Sequence, residues 1–132
     1  MSDKIFVDEA PLSNNRYPLS LHEKEMRKGV RLDLNGRMIG GVGSIAFRNR
    51  IRDLLKQGKN KIALDLYDVI SIDSFGMDEF VSALVAAVQT NGKIIFLHLR
   101  DGKVKRNLIE ANLLIAFEIA RTEEEAIQLL SK

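Results

Sequence analysis

The stretch Lys93-Ile94-Ile95-Phe96-Leu97-His98-Leu99 constrains this chain more than any other, because it is apolar at almost every position. A strand with one wet face alternates apolar and polar residues. A strand without alternation must be covered on both faces, as the inner strands of a parallel sheet are. Parallel neighbours in turn require a long crossover, usually a helix. The sequence on either side supplies both parts. Lys61-Ile62-Ala63-Leu64-Asp65-Leu66 reads as a strand. Ahead of it, a helix is expected from Ser44, as N-cap, to about Gln57, with Gly58 as its stop. Phe47, Ile51, Leu54 and Leu55 give that helix a buried stripe at i, i+4, i+7 and i+8. A second helix is expected over Met77–Val88, with Met77, Phe80, Val81, Leu84 and Val88 facing inward against the sheet, and Asn91-Gly92 turns from it into the apolar strand.

The flanks follow the same logic. Val30-Arg31-Leu32-Asp33-Leu34 alternates, as a half-exposed strand should, and Asn35-Gly36 ends it with turn chemistry. Leu21 to Met26 alternates similarly and pairs with it as a hairpin through Lys28-Gly29. Beyond the apolar strand, Val104, Leu108 and Ala111 mark a short helix, and Ile115 to Ile119 a last strand. Thr122-Glu123-Glu124-Glu125 is a T-x-x-E capping box opening a final helix to about Leu130. The first twenty residues, with Pro11, Pro18 and Ser13-Asn14-Asn15-Arg16, read as an N-terminal arm carrying a short strand at Lys4-Ile5-Phe6-Val7. The expectation is one α/β domain over residues 21–132 behind an arm at 1–20. Its sheet is mostly parallel, with an N-terminal antiparallel hairpin and about four helices.

Composition narrows the function classes. The 132 residues suit one core, and with no cysteine the chain has no disulfide, thiolate metal site or cysteine nucleophile. His22 and His98 are the only histidines and form no metal-spaced pair, so neither a metal nor another cofactor is expected. No apolar run approaches the roughly 18 residues of a membrane span, and Met1-Ser2-Asp3-Lys4 does not open a secretory signal, which makes the cytoplasm the expected compartment without membrane insertion. A net charge of +2 gives no ground for direct nucleic-acid binding.

The segment Asp73-Ser74-Phe75-Gly76 falls where a strand hands over to a helix. In open α/β sheets, the carboxyl ends of the strands are where binding sites form. A hydroxyl there sits at a helix N-terminus, where unpaired amides and the dipole favour negative charge, so a phosphate on Ser74 is compatible with the fold. The simpler alternative is that Ser74 is an N-cap, with Asp73 capping the helix or satisfying loop amides.

The run Ile62-Ala63-Leu64-Asp65-Leu66-Tyr67-Asp68-Val69-Ile70-Ser71-Ile72-Asp73-Ser74-Phe75-Gly76 resembles the signature of STAS domains, the anti-sigma factor antagonist family. The likeness extends through Asn91-Gly92-Lys93, Val104-Lys105-Arg106 and Thr122 to Ala126, covering roughly Leu21 to Leu130. The resemblance implies a non-enzymatic regulator that binds an anti-sigma factor with serine-kinase activity and is switched when that partner phosphorylates the serine after the aspartate, here Ser74. Asp73, Ser74, Phe75, Gly76, Met77 and Asp78 are then the partner-binding surface. The alternative is a STAS-like structural or scaffold subunit of a sensory or transporter complex, without phosphorylation. The oligomeric state stays open. Phe75 stands where the family usually has Ser or Thr, and Met77-Asp78 departs from the usual Leu-Gly or Leu-Ala. Phe75 is expected to pack inward, and Asp78 and Glu79 to lie in the helix's first turn.

Other features point less sharply. Arg48, Arg52 and Lys56, at i, i+4 and i+8, read as a solvated face or as a docking face for an acidic partner. Gly40-Gly41-Val42-Gly43 lacks the Gly-Lys-Ser/Thr ending of a phosphate loop and is expected as a flexible loop beside the site. Asp65 and Asp68 have the placing of a receiver-domain phosphoacceptor, but Asp33 alone does not make the acidic pair that would hold its Mg²⁺. Ile72-Asp73-Ser74-Phe75-Gly76 is not the G-x-S-x-G of a serine hydrolase.

Overall fold

The computed structural model describes residues 3–7 and 19–132. The expected arm at 1–20 therefore lies largely outside the described residues, apart from its short strand. Strands β1 (Asp3–Val7), β2 (Ser20–Glu25) and β3 (Val30–Met38) lead into helix α1 (Val42–Lys56). Strand β4 (Lys61–Ile72), helix α2 (Ser74–Gln89) and strand β5 (Lys93–Leu97) follow. Helix α3 (Lys103–Glu110), a 3-10 turn (Leu113–Ile115), the two-residue β6 (Ile119–Ala120) and helix α4 (Glu123–Leu130) complete the order.

The six strands lie in one sheet in sequence order, antiparallel from β1 to β3 and parallel from β3 to β6. The hairpin forms where the alternation placed it, with Met26 N donating to Gly29 O across the turn at 3.1 Å. In β5, Ile94, Ile95, Phe96 and Leu97 are all buried, as a run without alternation demands. One face of the sheet packs on α1, α2 and α3 through Leu32, Leu64, Phe96, Phe47, Phe80 and Leu108. The other face packs on α4 through Ala63, Ile95, Leu97, Ala126, Ile127 and Leu130. Phe47, Phe80, Phe96 and Phe117 run through the larger core as a chain of ring contacts, with centroids 5.4, 5.5 and 4.2 Å apart. Thr122 caps α4 as its sequence promised, accepting from Glu125 N at 3.1 Å, and Gly58 with φ of 76° follows α1.

Several boundaries differ from expectation. β3 does not end at Asn35-Gly36. It continues to Met38 through register irregularities, and Gly36 at φ of 114° supplies the bulge rather than a turn. Helix α1 begins at Val42, with Gly41 as N-cap; Ser44 lies within its first turn, and its Oγ donates to Gly41 O at 2.9 Å instead of capping. Gly40-Gly41-Val42-Gly43 is thus half turn and half helix rather than a loop. β4 runs to Ile72, not Leu66, and α2 starts at Ser74 rather than Met77. The buried stripe of α2 is Gly76, Phe80, Ala83 and Ala87, with Met77 and Leu84 at its margin, while Val81 and Val88 face outward. Small residues form the contact, so the helix lies close on the sheet. β5 stops at Leu97 because His98 takes a left-handed backbone, φ 55°. The last strand shortens to Ile119–Ala120, and Ile115 is exposed in the 3-10 turn.

Candidate functional site at the start of helix α2

Asp73 organises the junction between β4 and α2. Its backbone is extended, so it serves as N-cap, and its Oδ1 accepts from Gly76 N at 2.8 Å. The same carboxylate accepts from Gly40 N at 3.0 and 3.2 Å, which ties the end of β3 to the start of α2. Asp73 N donates to Met38 O at 3.3 Å, and Asp73 O accepts from Met77 N at 3.0 Å. Both roles considered for Asp73, capping and satisfying a neighbouring amide, are therefore filled by one side chain.

Two glycines let the elements meet. A Cβ on Gly76 would lie 2.0 Å from Met38 O, and one on Gly40 would lie 2.9 Å from Phe75 Cβ. Backbone cannot yield at such distances, so Gly76 is required where α2 passes over the end of β3.

The capping role of Asp73 removes that explanation for Ser74. Ser74 is the first helical residue and is exposed. The first amides of a helix have no carbonyl partner within it, and the positive end of the dipole lies there. A phosphate carried by Ser74 would occupy this favourable end while remaining in solvent.

Phe75 does not pack inward. Its base rests on Gly40, yet the residue is 66% exposed, and Val42 and Ile45 on α1 are exposed as well. The inward stripe at this end is occupied by Gly76 and Phe80, which leaves Phe75 no room in the core. Of the six residues expected to meet a partner, Ser74, Phe75 and Asp78 are exposed; Asp73 and Met77 are half-buried, and Gly76 is buried. Because α2 starts early, Asp78 and Glu79 belong to its second turn rather than its first. Glu79 is bound by Arg48, whose Nε lies 3.1 Å from both carboxylate oxygens. The hydrogen bond and charge of Glu79 hold the Arg48 guanidinium above its ordinary pKa.

The far face of the sheet carries an arrangement that sequence reading did not assemble. Asp65, 5% exposed, accepts from Tyr67 N at 2.9 Å and lies 2.8 Å from His98 Nδ1 and 3.1 Å from Arg31 Nη2. Arg31 also meets Asp33 at 2.6 Å and Glu123 at 3.1 Å. Burial works against the Arg31 charge, but Asp33, Asp65 and Glu123 outweigh it and raise its pKa. The only hint in the sequence was the polar Arg31, Asp33 and Asp65 on otherwise apolar strands. Asp65 is committed to these partners, which removes the receiver-like reading; Asp68 is exposed. Among the described residues, no three His, Asp or Glu side chains converge as a metal site, and no helix is long and apolar enough to cross a membrane.

Comparison with known proteins identifies the family. The family model for the STAS domain matches residues 25–126. No curated protein matches the sequence. Among solved structures, TM1081 of Thermotoga maritima, a candidate anti-sigma factor antagonist, is 27% identical with a TM-score of 0.70, covering 89% of this chain and 96% of its own. An anti-sigma factor antagonist from Mycobacterium paratuberculosis is 16% identical with a TM-score of 0.75, covering 93% and 98%. The Bacillus cell fate determinant SpoIIAA in its phosphorylated form is 21% identical with a TM-score of 0.64, covering 82% and 96%. The last two likenesses bear on fold alone.

Proposed function

Because the chain belongs to the STAS domain family, we propose that it acts as an anti-sigma factor antagonist, a non-enzymatic module that binds an anti-sigma factor with serine-kinase activity and is switched by phosphorylation at Ser74. The observation that carries this reading is the division of labour at Asp73-Ser74. Asp73 provides the helix cap, and Ser74 is left exposed at the first helical position.

The chemistry of the switch follows from that position. Unmodified, Ser74 presents an uncharged hydroxyl beside the exposed ring of Phe75. Phosphorylation adds about −1.5 to −2 charge at neutral pH and three acceptor oxygens. Burying that charge against an apolar partner surface is costly, so the modified form dissociates. The helix terminus meanwhile favours the anion in the free domain, so the modification penalises the complex more than the fold. Phe75 is the aromatic anchor of the unmodified contact, since exposed aromatic residues dominate many interfaces. SpoIIAA, one of the structural neighbours, has been seen in both unphosphorylated and phosphorylated forms.

The test is incubation with ATP and an anti-sigma factor serine kinase from the same organism, followed by mass mapping of wild type and Ser74→Ala. Phosphate on Ser74, lost in the alanine variant, supports the switch. An active kinase that leaves Ser74 unmodified sinks it and favours a scaffold subunit.

A further inference from the structure

Helices α1 and α2 leave an open groove of about 590 Å³ between their outer sides. Its floor is apolar, formed by Ile51 and Leu55 from α1 and by Ala83 and Ala86 from α2. Its two walls differ in charge. The α1 wall carries Arg48, Arg52 and Lys56, one cation per turn; the α2 wall carries Glu79, Ser82 and Thr90. Glu79 is already engaged by Arg48. Among the described residues, no carboxylate pairs with Arg52 or Lys56, both of which are exposed. The groove therefore joins an apolar base to a positive rim on which Arg52 and Lys56 are uncompensated.

Successive rim cations lie four residues apart, about 6 Å along the axis at 1.5 Å per residue. Carboxylates at i and i+4 of a partner helix repeat with the same spacing, and apolar side chains on an adjoining stripe would meet the floor. Phe75, Glu79, Ser82 and Ala86 stand at i, i+4, i+7 and i+11, so the α2 wall leads back to the residue beside Ser74. The groove and the site at the start of α2 form one continuous surface.

From the charge and shape of this surface, we infer that the α1/α2 groove docks an acidic amphipathic helix of a partner protein, with carboxylates on Arg52 and Lys56 and apolar side chains on Ile51, Leu55, Ala83 and Ala86. The inference rests on the function proposed above only for the identity of the chain that supplies the helix. Docking itself requires neither kinase nor phosphate. The groove secures the partner by charge and apolar contact, while Ser74 at its end decides whether the contact can close.

The test titrates ¹⁵N-labelled full chain with a synthetic helical peptide bearing leucines at i, i+3, i+4 and i+7 and glutamates at i and i+4 on the flanking stripe. The controls are the same peptide with lysine for glutamate and a short single-stranded oligonucleotide. The expected result is saturable amide shifts along Arg48, Arg52, Lys56, Ser82 and Ala86 with the acidic peptide, and none with the lysine peptide. The double variant R52E/K56E should weaken binding about tenfold or more, as loss of complementary charge does. Ala86→Trp, which fills the groove without altering charge, should abolish the shifts while the spectrum outside the groove stays native. The titration contains neither kinase nor ATP, so its outcome does not depend on whether Ser74 is ever phosphorylated, which separates this inference from the switch. Absent shifts, shifts outside the groove, equal binding of the lysine peptide, tighter binding of the oligonucleotide, or full affinity in R52E/K56E would each overturn it.

Discussion

Asp65 and Asp73 both lie on or just after strand β4, eight residues apart, and the molecule uses them in opposite ways. Asp65 is buried and internally paired: its oxygens take Tyr67 N, His98 and Arg31, groups drawn from β3, β4 and the residue after β5. Asp73 is also fully occupied, by Gly40 N and Gly76 N, but the residues it positions face outward. A strand can thus carry a charged group that completes the fold where α4 gives no apolar cover, and another that presents a surface. An aspartate near the end of a strand does not by itself reveal which. The difference lies in the partners: Asp65 is held by charged side chains, whereas Asp73 is held by backbone amides at the start of a helix.

That contrast can be tested, beginning where the effect should be largest. Asp65→Ala removes the common partner of Arg31 and His98 from a buried cluster and should cost about 3 kcal/mol of stability, as broken buried ion pairs do, measured by urea unfolding. Partner binding should be unaffected at concentrations where the variant is folded. Gly76→Ala forces a methyl group against Met38 O and should cost about 2–3 kcal/mol, since overpacking without relief is of that size. Asp73→Ala removes the cap and releases Gly40, for a loss of about 1–2 kcal/mol. A loss below about 0.5 kcal/mol there would show that the carboxylate does not hold the junction. Phe75→Ala should leave stability within about 0.5 kcal/mol yet weaken the partner complex by about 2 kcal/mol, by calorimetry. Equal effects on both would place Phe75 with the closed residues.

The smallest effect is electrostatic and lies at the exposed start of α4. The hydrogen bond and then the charge of Arg27 hold the Glu124 carboxyl below its ordinary pKa. A depressed folded-state pKa means the contribution is present above the ordinary glutamate value and is lost as pH falls through the depressed one. Arg27→Ala should return the Glu124 titration, followed by carbon NMR, to the ordinary range.

The sequence carried the architecture because its local signals were redundant. The run Ile94–Leu97 required a doubly covered strand, the hairpin had alternation on both sides of Lys28-Gly29, and Thr122 had its capping partner three residues on. The strand-to-helix junction at Asp73-Ser74 was legible too. Its exact assembly was not. Asp73 and Ser74 are both good N-caps, so spacing could not say which would cap, and only the contact with Gly40, distant in sequence, decides it. The phase of α2 was hidden because Val81, Val85 and Val88 are apolar on the exposed side while the inward stripe is largely Gly and Ala. Hydropathy marks the larger side chain, whereas close packing selected the smaller one. Phe75 was misplaced by the same rule. The Asp65 network joins β3, β4, His98 and α4, and no local pattern announces a cluster drawn from four places.

The close pass of Gly76 over the Met38 carbonyl has a consequence for timing. With backbone against backbone there and Asp73 fastening both sides, any shift of α2 would have to break both contacts. Under the proposed switch, a phosphate on Ser74 would be added and removed on an unchanging frame. The signal would be a label on the surface rather than a shape passed through the protein, and its tempo would be set by the enzymes that write and erase it.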